Sequence, residues 1–177
     1  RQKEKTENEL KNYIQMETLF SKISSNFINQ SSEGIDKCIV SALANIGHFS
    51  DSDRAFLTQF DEKKEYLSCT HEWNRKESYS CKSYFQNVRL GKFPWISKVM
   101  QAGLTIHSSK ISEFGPNATA AKKAWNNKGI KSVLIVPMKL GSEFTGFIGV
   151  YRFEKKQKWS SEIKDLLKII GDICASA

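Results

Sequence analysis

The side chains of this chain that could do chemistry are its cysteines and histidines and one arginine set in an apolar segment. Cys69 and His71 stand two positions apart, so on an extended strand they would share a face and form half of a metal or nucleophile site. No residue nearby in sequence completes it, and neither a CxxC pair nor the Cys/His spacing of structural zinc occurs. We therefore predict no metal site, and reduced thiols at Cys69 and at the other three cysteines, Cys38, Cys81 and Cys174.

The sequence also lacks the motifs through which many enzymes act. No serine stands in a nucleophile-elbow setting, no glycine-rich phosphate loop precedes a helix, and no HExxH occurs. Acidic pairs such as Asp61-Glu62 fall in a predicted turn, where solvent screens their charges. We predict that this domain has no catalytic residues and is not an enzyme.

Residues suited to binding are easier to find than residues suited to catalysis. Arg54 lies among apolar strand residues, where an unpaired charge is costly, so it is predicted to pair with a loop carboxylate or to meet an anionic ligand. His71 and Trp73 alternate with Glu72 and share one face of a strand end, either in the core or against a pocket.

Two tryptophans, Trp95 and Trp125, fall on short predicted helices. An indole offers a large stacking face and one hydrogen-bond donor, which suits a planar ligand, and simple packing of a lid is the alternative. The complete set of predicted ligand-binding residues is Arg54, Phe56, His71, Trp73, Trp95, Trp125, Met138 and Tyr151.

The chain is basic, with 27 Lys and Arg against 19 Asp and Glu and a net charge of +8. Its densest basic run indicates either a solvated face or an electropositive mouth over a pocket for an anionic ligand. The basic residues are neither interleaved with aromatic ones nor set on a recognition helix, so we expect no nucleic-acid partner. That run comprises Arg75, Lys76, Lys82, Arg89 and Lys92, with Glu77 as its one acid.

Length and composition bound the domain organisation. The 177 residues suit one domain with an appended element, and 40% hydrophobic and 26% charged residues are ordinary for a globular chain. No segment approaches the roughly 18 apolar residues of a membrane helix, and the charged start has no apolar stretch behind it. Since the chain begins without Met, we expect a soluble, cytoplasmic fragment of a larger protein that makes no membrane contact.

The first segment has the pattern of a long helix, from Lys3 to about Asn29. Apolar residues recur at steps of three and four, as in a coiled-coil seam, within a wider apolar stripe. We predict that residues 1–30 form a signalling and dimerisation helix of a homodimer; packing on its own domain alone is the alternative. The predicted seam residues are Tyr13, Met16, Phe20, Ile23 and Phe27.

The remaining chain predicts an α+β domain. The antiparallel sheet is expected to carry the terminal helices on one face and an irregular, partly helical excursion on the other, with a cavity beneath the excursion. The expected helices are 34–48, 95–101, 116–127 and one capped by Ser160 or Ser161; the expected strands are 54–60, 65–73, 84–88, 104–107, 132–140 and 143–153.

This layout, together with particular residues, resembles the GAF family, and most closely the GAF subgroup of bacterial histidine kinases and diguanylate cyclases. The resemblance spans about residues 35–173 and places the GAF domain at 31–177. The matching pieces are Asp53–Phe56, Thr70–Trp73, Phe93–Trp95, Gly129–Ser132, Val136–Met138, Gly146–Gly149 and Trp159–Ser160.

The resemblance implies a regulatory module that binds a small molecule, or transmits strain, and acts through terminal helices on a covalently linked output domain. No cofactor is expected beyond an unknown small ligand. The signature of cyclic-nucleotide-binding members is missing, and the flanks of Cys81 do not match the motif that attaches bilins. Two alternatives stay open: a thiol enzyme similar to free methionine sulfoxide reductase, with Cys69 and Cys81, and a dimerising spacer that binds nothing.

Overall fold

A five-stranded antiparallel sheet organises the computed structural model, which describes residues 2–28 and 30–177. The strand order is β2-β1-β5-β4-β3, which confirms the predicted α+β architecture. The strands are β1 (Arg54–Phe60), β2 (Leu67–Asn74), β3 (Ile106–Ser108), β4 (Ser132–Leu140) and β5 (Glu143–Arg152). The helices are α1 (Gln2–Phe27), α2 (Ser32–Phe49), α3 (Pro94–Gln101), α4 (Thr119–Asn127) and α5 (Ser161–Ser176).

Local sequence signals account for several element boundaries. Pro94, with its fixed φ, occupies the first turn of α3, and the Ser160 side chain caps α5 by accepting from the Ile163 amide at 3.3 Å. Gly141 supplies the positive φ of the tight turn between β4 and β5. These signals therefore fix where α3 and α5 begin and where the chain turns from β4 into β5.

The two faces of the sheet carry different layers. Helices α1, α2 and α5 cover one face, and their core includes Leu57, Leu134 and Ile148 from alternate strand positions. The excursion between β2 and β4, with α3 and α4, covers the other face and packs on Phe56, Ile135 and Phe147. Because successive side chains of a strand point to opposite faces, each strand contributes alternate side chains to the helical core and to the layer that holds the cavity.

Helix α1 differs from the predicted seam. Ile23 is 1% exposed and belongs to the core of its own domain, so it is not available to a partner chain. Met16, Phe20 and Phe27 are half-buried against the same core, whereas Tyr13 is exposed. The seam is therefore split: the second half of α1 packs on the domain body, and the first half carries exposed apolar side chains. The predicted end at Asn29 lies outside the described residues.

The excursion is less regular than its sequence suggests. Residues 84–88, predicted as a strand, make only one bridge, between Leu67 and Val88, and a hydrogen bond from the Cys69 amide to the Phe85 carbonyl (2.7 Å). Asn87 has a φ of 52°, which interrupts an extended run. The predicted helix at 116–127 opens with a 3-10 turn, and α4 starts at Thr119. Residues 84–88 therefore do not form a strand of the sheet but cover the outer edge of β2.

A β-bulge in β2 decides which side chains face the cavity. Leu57 pairs with His71 and Thr58 pairs with Cys69, so Thr70 is an extra residue on β2. Cys69 therefore points to the excursion side and His71 to the helical side. This corrects the prediction that these two residues share a face.

Within residues 2–28 and 30–177, no helix is both long and apolar enough to cross a membrane.

Candidate functional site

A cavity of about 360 Å³ lies between the sheet and the excursion, within the usual range for small-molecule sites. Strands β1, β2, β4 and β5 supply its floor, and α3, α4 and residues 81–93 supply its cover. Its lining is mainly apolar and aromatic. Among the lining residues are Arg54, Phe56, Cys69, Cys81, Phe85, Leu90, Ile96, Ala121, Ala124, Trp125, Ile135, Phe147 and Tyr151.

The exposed lining residues mark the mouth of the cavity. Tyr84, Lys92 and Asn127 are solvent-exposed, and Lys128 is half-buried beside them. The Lys128 ammonium lies over the ring of Tyr84, so the end of α4 and the 82–84 turn meet at this opening. A ligand that enters here meets lysine first and aromatic side chains deeper inside.

Arg54 lies at the buried floor of the cavity and is 2% exposed. Its Nε donates to Glu72 Oε2 at 3.0 Å, and its Nη2 donates to Cys69 Sγ at 3.4 Å. The guanidinium also lies 4.4 Å from the centroid of the Phe56 ring. The predicted carboxylate partner is therefore present, but it comes from the neighbouring strand and not from a loop.

Glu72 is the residue of this floor that sequence reasoning missed. Burial acts to raise the pKa of its carboxyl, but a hydrogen bond from Ser80, the charge of Arg54 and further hydrogen bonds outweigh burial and lower that pKa. The Cys81 amide also donates to Glu72 Oε2, at 3.3 Å. Glu72 could have been found from sequence, because it is an acidic residue on the predicted strand that follows the strand of Arg54, and Arg54 needs a partner. The positive charge of Arg54 at the floor is thus balanced by the negative charge of Glu72.

Both cysteines of the cavity are poor nucleophiles in this setting. Burial raises the pKa of Cys69 to about 11, although the nearby Arg54 charge acts to lower it. Burial also raises the pKa of Cys81. Since the thiolate is the reactive form, both side chains are neutral thiols near pH 7. This state is the opposite of what the thiol-enzyme alternative requires.

Trp125 and Tyr151 form the aromatic wall of the cavity. The indole Nε1 of Trp125 donates to the Tyr151 hydroxyl at 3.3 Å, and the Tyr151 ring lies 4.6 Å from that of Phe56. Burial raises the pKa of Tyr151 to about 12, so its hydroxyl keeps its proton. Trp95 does not line the cavity: it packs behind the wall, with ring centroids 5.2 Å from Phe114 and 6.5 Å from Trp125.

Three predicted site residues lie on the helical face of the sheet, away from the cavity. His71 contacts Asp36 of α2 (Nε2 to Oδ1, 3.0 Å), and Trp73 packs on α2 at Gly47. Met138 is fully buried in the helical core. Strand alternation explains Met138, and the bulge at Thr70 explains the other two. The structure thus brings Arg54, Phe56, Trp125 and Tyr151 together at the cavity and leaves out His71, Trp73, Met138 and Trp95.

Several lining residues were not singled out from sequence. Phe85, Leu90, Ile96 and Ala121 belong to the excursion, whose irregular turns carry no periodic signal that assigns a side to each residue. Phe147 was missed although it lies on β5 four positions before Tyr151, and alternation places both side chains on the same face of the strand. In the described residues, no group of three or more His, Cys, Asp or Glu is placed to hold a metal ion.

Comparisons with known proteins agree with this geometry. A family model described as GAF domain matches residues 35–177. The phycocyanobilin-bound GAF domain from a cyanobacterial phytochrome superposes with a TM-score of 0.74 at 12% identity, over 91% of this chain and 92% of that chain. No curated protein sequence matches the chain.

Two further solved structures share the fold. A far-red absorbing dark state with bound biliverdin IXα has a TM-score of 0.72 at 11% identity, over 89% of this chain and 96% of that chain. A GAF domain from Synechocystis in its photoproduct state has a TM-score of 0.67 at 14% identity, over 80% of this chain and 92% of that chain. At these identities the likeness shows the fold alone.

Proposed function

Since the chain belongs to the GAF domain family, as its motifs predicted, we propose that it is a sensory module that binds a small, largely apolar molecule in the cavity. The observation that carries this proposal is the cavity itself: an apolar and aromatic space of about 360 Å³ whose one buried ion pair is already satisfied. Such a space favours a ligand with a planar or apolar body. The raised pKa values of the two cavity thiols favour this regulatory role over the thiol-enzyme alternative.

Filling the cavity is expected to abolish ligand binding. Ala124 lines the cavity from α4, so Ala124→Trp places an indole in the space that a ligand would occupy. We expect at least one compound in a library of nucleotides, amino acids, organic acids, haem and bilins to stabilise the wild-type chain. At about 100 times its dissociation constant, a ligand adds roughly 2.7 kcal/mol, which a thermal-shift assay measures as a rise of several degrees. Ala124→Trp should show no such rise.

The matched control is Asn126→Trp, which adds the same side chain at an exposed position of α4 outside the cavity. It should keep the full thermal shift. A silent library would favour the spacer, whereas a hit that Ala124→Trp leaves unchanged would place the binding site outside the cavity. Bilins belong in the library because two of the structural neighbours hold one. A bilin attached covalently would stay with the chain after denaturation.

We further propose that the first half of α1 mediates a homodimer that couples the module to an output domain. At 1.5 Å per residue the 26-residue helix is about 39 Å long, and only its second half packs on the domain body. Leu10, Tyr13 and Ile14 are each more than half exposed and lie on one helical face. A histidine kinase or diguanylate cyclase in a reducing cytoplasm is the proposed setting, consistent with four free cysteines.

Charging this exposed face is expected to convert a dimer into a monomer without changing the fold. Leu10→Glu/Ile14→Glu places four like charges in a two-helix seam, whereas neither side chain packs on the domain core. Light scattering after size exclusion should give about twice the 20.2 kDa chain mass for the wild type and the single-chain mass for the variant. Asn8→Glu/Asn12→Glu adds equal charge at exposed polar positions and should stay dimeric. A monomeric wild type at high micromolar concentration would contradict the proposal.

A further inference from the structure

The positive charge of this protein is concentrated in the segment that covers the cavity. Residues 75–131 carry eleven Lys and Arg against Glu77 and Glu113, a net charge of +9. The rest of the chain carries 16 basic and 17 acidic residues and is almost neutral. The whole excess of +8 therefore lies on the excursion side of the sheet, where it makes the potential around the mouth positive.

Two lysines bring this charge to the cavity itself. Lys92 and Lys128 both line it, and among the described residues neither makes an ion pair. Other basic residues of the segment are engaged, as Arg75 is with Asp51 and Lys76 is with Glu154. A ligand at the mouth therefore meets Lys92 and Lys128 without displacing an acidic partner.

The floor of the cavity offers no comparable attraction. Arg54 lies there, but Glu72 holds it at 3.0 Å and neutralises it. Between floor and mouth the walls are aromatic and aliphatic, with Phe56, Trp125 and Phe147 among them. The cavity is therefore polarised: neutral and apolar inside, cationic at its opening.

We propose that the cavity binds an amphipathic anion, with an apolar, preferably aromatic body against Trp125 and a carboxylate or phosphate head group at Lys92 and Lys128. This inference rests on the proposed function and specifies the ligand class. The head group stays at the opening, where water solvates its remaining oxygens, and the body displaces water from the interior. A neutral molecule of the same shape gains the burial of its apolar body but not the attraction of an anionic head group to Lys92 and Lys128.

A pair of fluorescent dyes tests the inference directly. The probes are 8-anilinonaphthalene-1-sulfonate and N-phenyl-1-naphthylamine, which is the same fluorophore without the sulfonate. In Lys92→Gln/Lys128→Gln we expect the anionic dye to bind about tenfold more weakly than in wild type, and the neutral dye to bind within twofold. Lys98→Gln/Lys123→Gln removes the same charge from exposed positions of the excursion helices and should change neither affinity more than about twofold.

Competition identifies the head group. 1-Naphthoate and 1-naphthyl phosphate are added to the complex with the anionic dye; the stronger competitor names the preferred anion, and failure of both to displace the dye would overturn the inference. Equal binding of the anionic dye to wild type and Lys92→Gln/Lys128→Gln would overturn it too. If Ala124→Trp still removes both dyes in that case, the proposed function survives. Dye binding that Ala124→Trp leaves unchanged would overturn both proposals.

Discussion

Glu72→Gln is expected to destabilise the domain by about 3–5 kcal/mol, a large part of the 5–15 kcal/mol that holds a typical domain folded. Glutamine keeps the shape of the side chain: with its carbonyl oxygen in place of Oε2 it still accepts from Arg54 and the Cys81 amide, and its amide nitrogen can donate to the Ser80 hydroxyl. It removes the negative charge that faces Arg54 at 3.0 Å. Arg54 is 2% exposed, so its guanidinium would stay buried without a counter-charge. Urea unfolding followed by tryptophan fluorescence measures the loss.

The stability difference between wild type and Glu72→Gln depends on pH in a defined way. The folded-state pKa of Glu72 is below the unfolded value of about 4.3, so the ion pair contributes its full stability above that value. The contribution is lost as the pH falls through the folded-state pKa. The difference in unfolding free energy between wild type and Glu72→Gln should therefore be constant from about pH 6 to 8 and should narrow below about pH 4.

A double replacement separates the cost of an unpaired charge from the cost of altered packing. Arg54→Met/Glu72→Leu removes both charges and keeps apolar volume, so we expect it to recover most of the stability that Glu72→Gln loses. If Glu72→Gln unfolds at the wild-type urea midpoint, or if the double variant is the least stable of the three, the ion pair is not what stabilises this floor.

Gly146→Ala is expected to cost about 3–5 kcal/mol, because this glycine allows β5 to approach β1. Its φ is +154°, and a Cβ there would lie 2.0 Å from the Thr58 carbonyl oxygen. Backbone strain accounts for roughly 1–3 kcal/mol, and the forced shift of the strands adds a similar amount. Since Thr58 also bonds the Phe147 amide and carbonyl through its hydroxyl, the shift would break these contacts as well.

The matched control for Gly146 is Gly141→Ala. Gly141 also has a positive φ, +63°, but no atom lies within 4 Å of a Cβ built there. Only the left-handed backbone would then be penalised, by about 1 kcal/mol. Equal losses at the two positions, measured as shifts of the urea midpoint, would show that the approach of β5 to β1 plays no part.

The sequence was sufficient for the architecture because its periodic segments are strong. Residues 54–60 have a period of two and residues 132–153 are rich in β-branched and aromatic side chains, and the order of these strands with the terminal helices implied the sheet and the space above it. Arg54 was recognisable because a charge within such a strand needs a partner. The family match over residues 35–177 agrees with the motifs that suggested it.

Two features of the site were beyond the reach of periodicity. The bulge at Thr70 adds one residue to β2, and a one-residue slip turns every later side chain to the other face. His71 and Trp73, which we predicted to lie either in the core or against a pocket, face the helices for that reason. The cover of the cavity folds through short 3-10 turns, whose residues are oriented by tertiary contacts. Local sequence therefore could not show that Phe85, Leu90 and Lys92 meet at one opening.

The bulge also makes β2 a mechanical link between the two layers of the protein. Towards the cavity, Cys69 and Glu72 hold Arg54; towards the helices, the Trp73 ring lies directly on the backbone of α2 at Gly47. A Cβ at Gly47 would be 2.2 Å from Trp73 Cζ3, so no spare space separates ring and helix. Because close-packed groups cannot move independently, we expect a change in the twist of β2 to displace α2 as well.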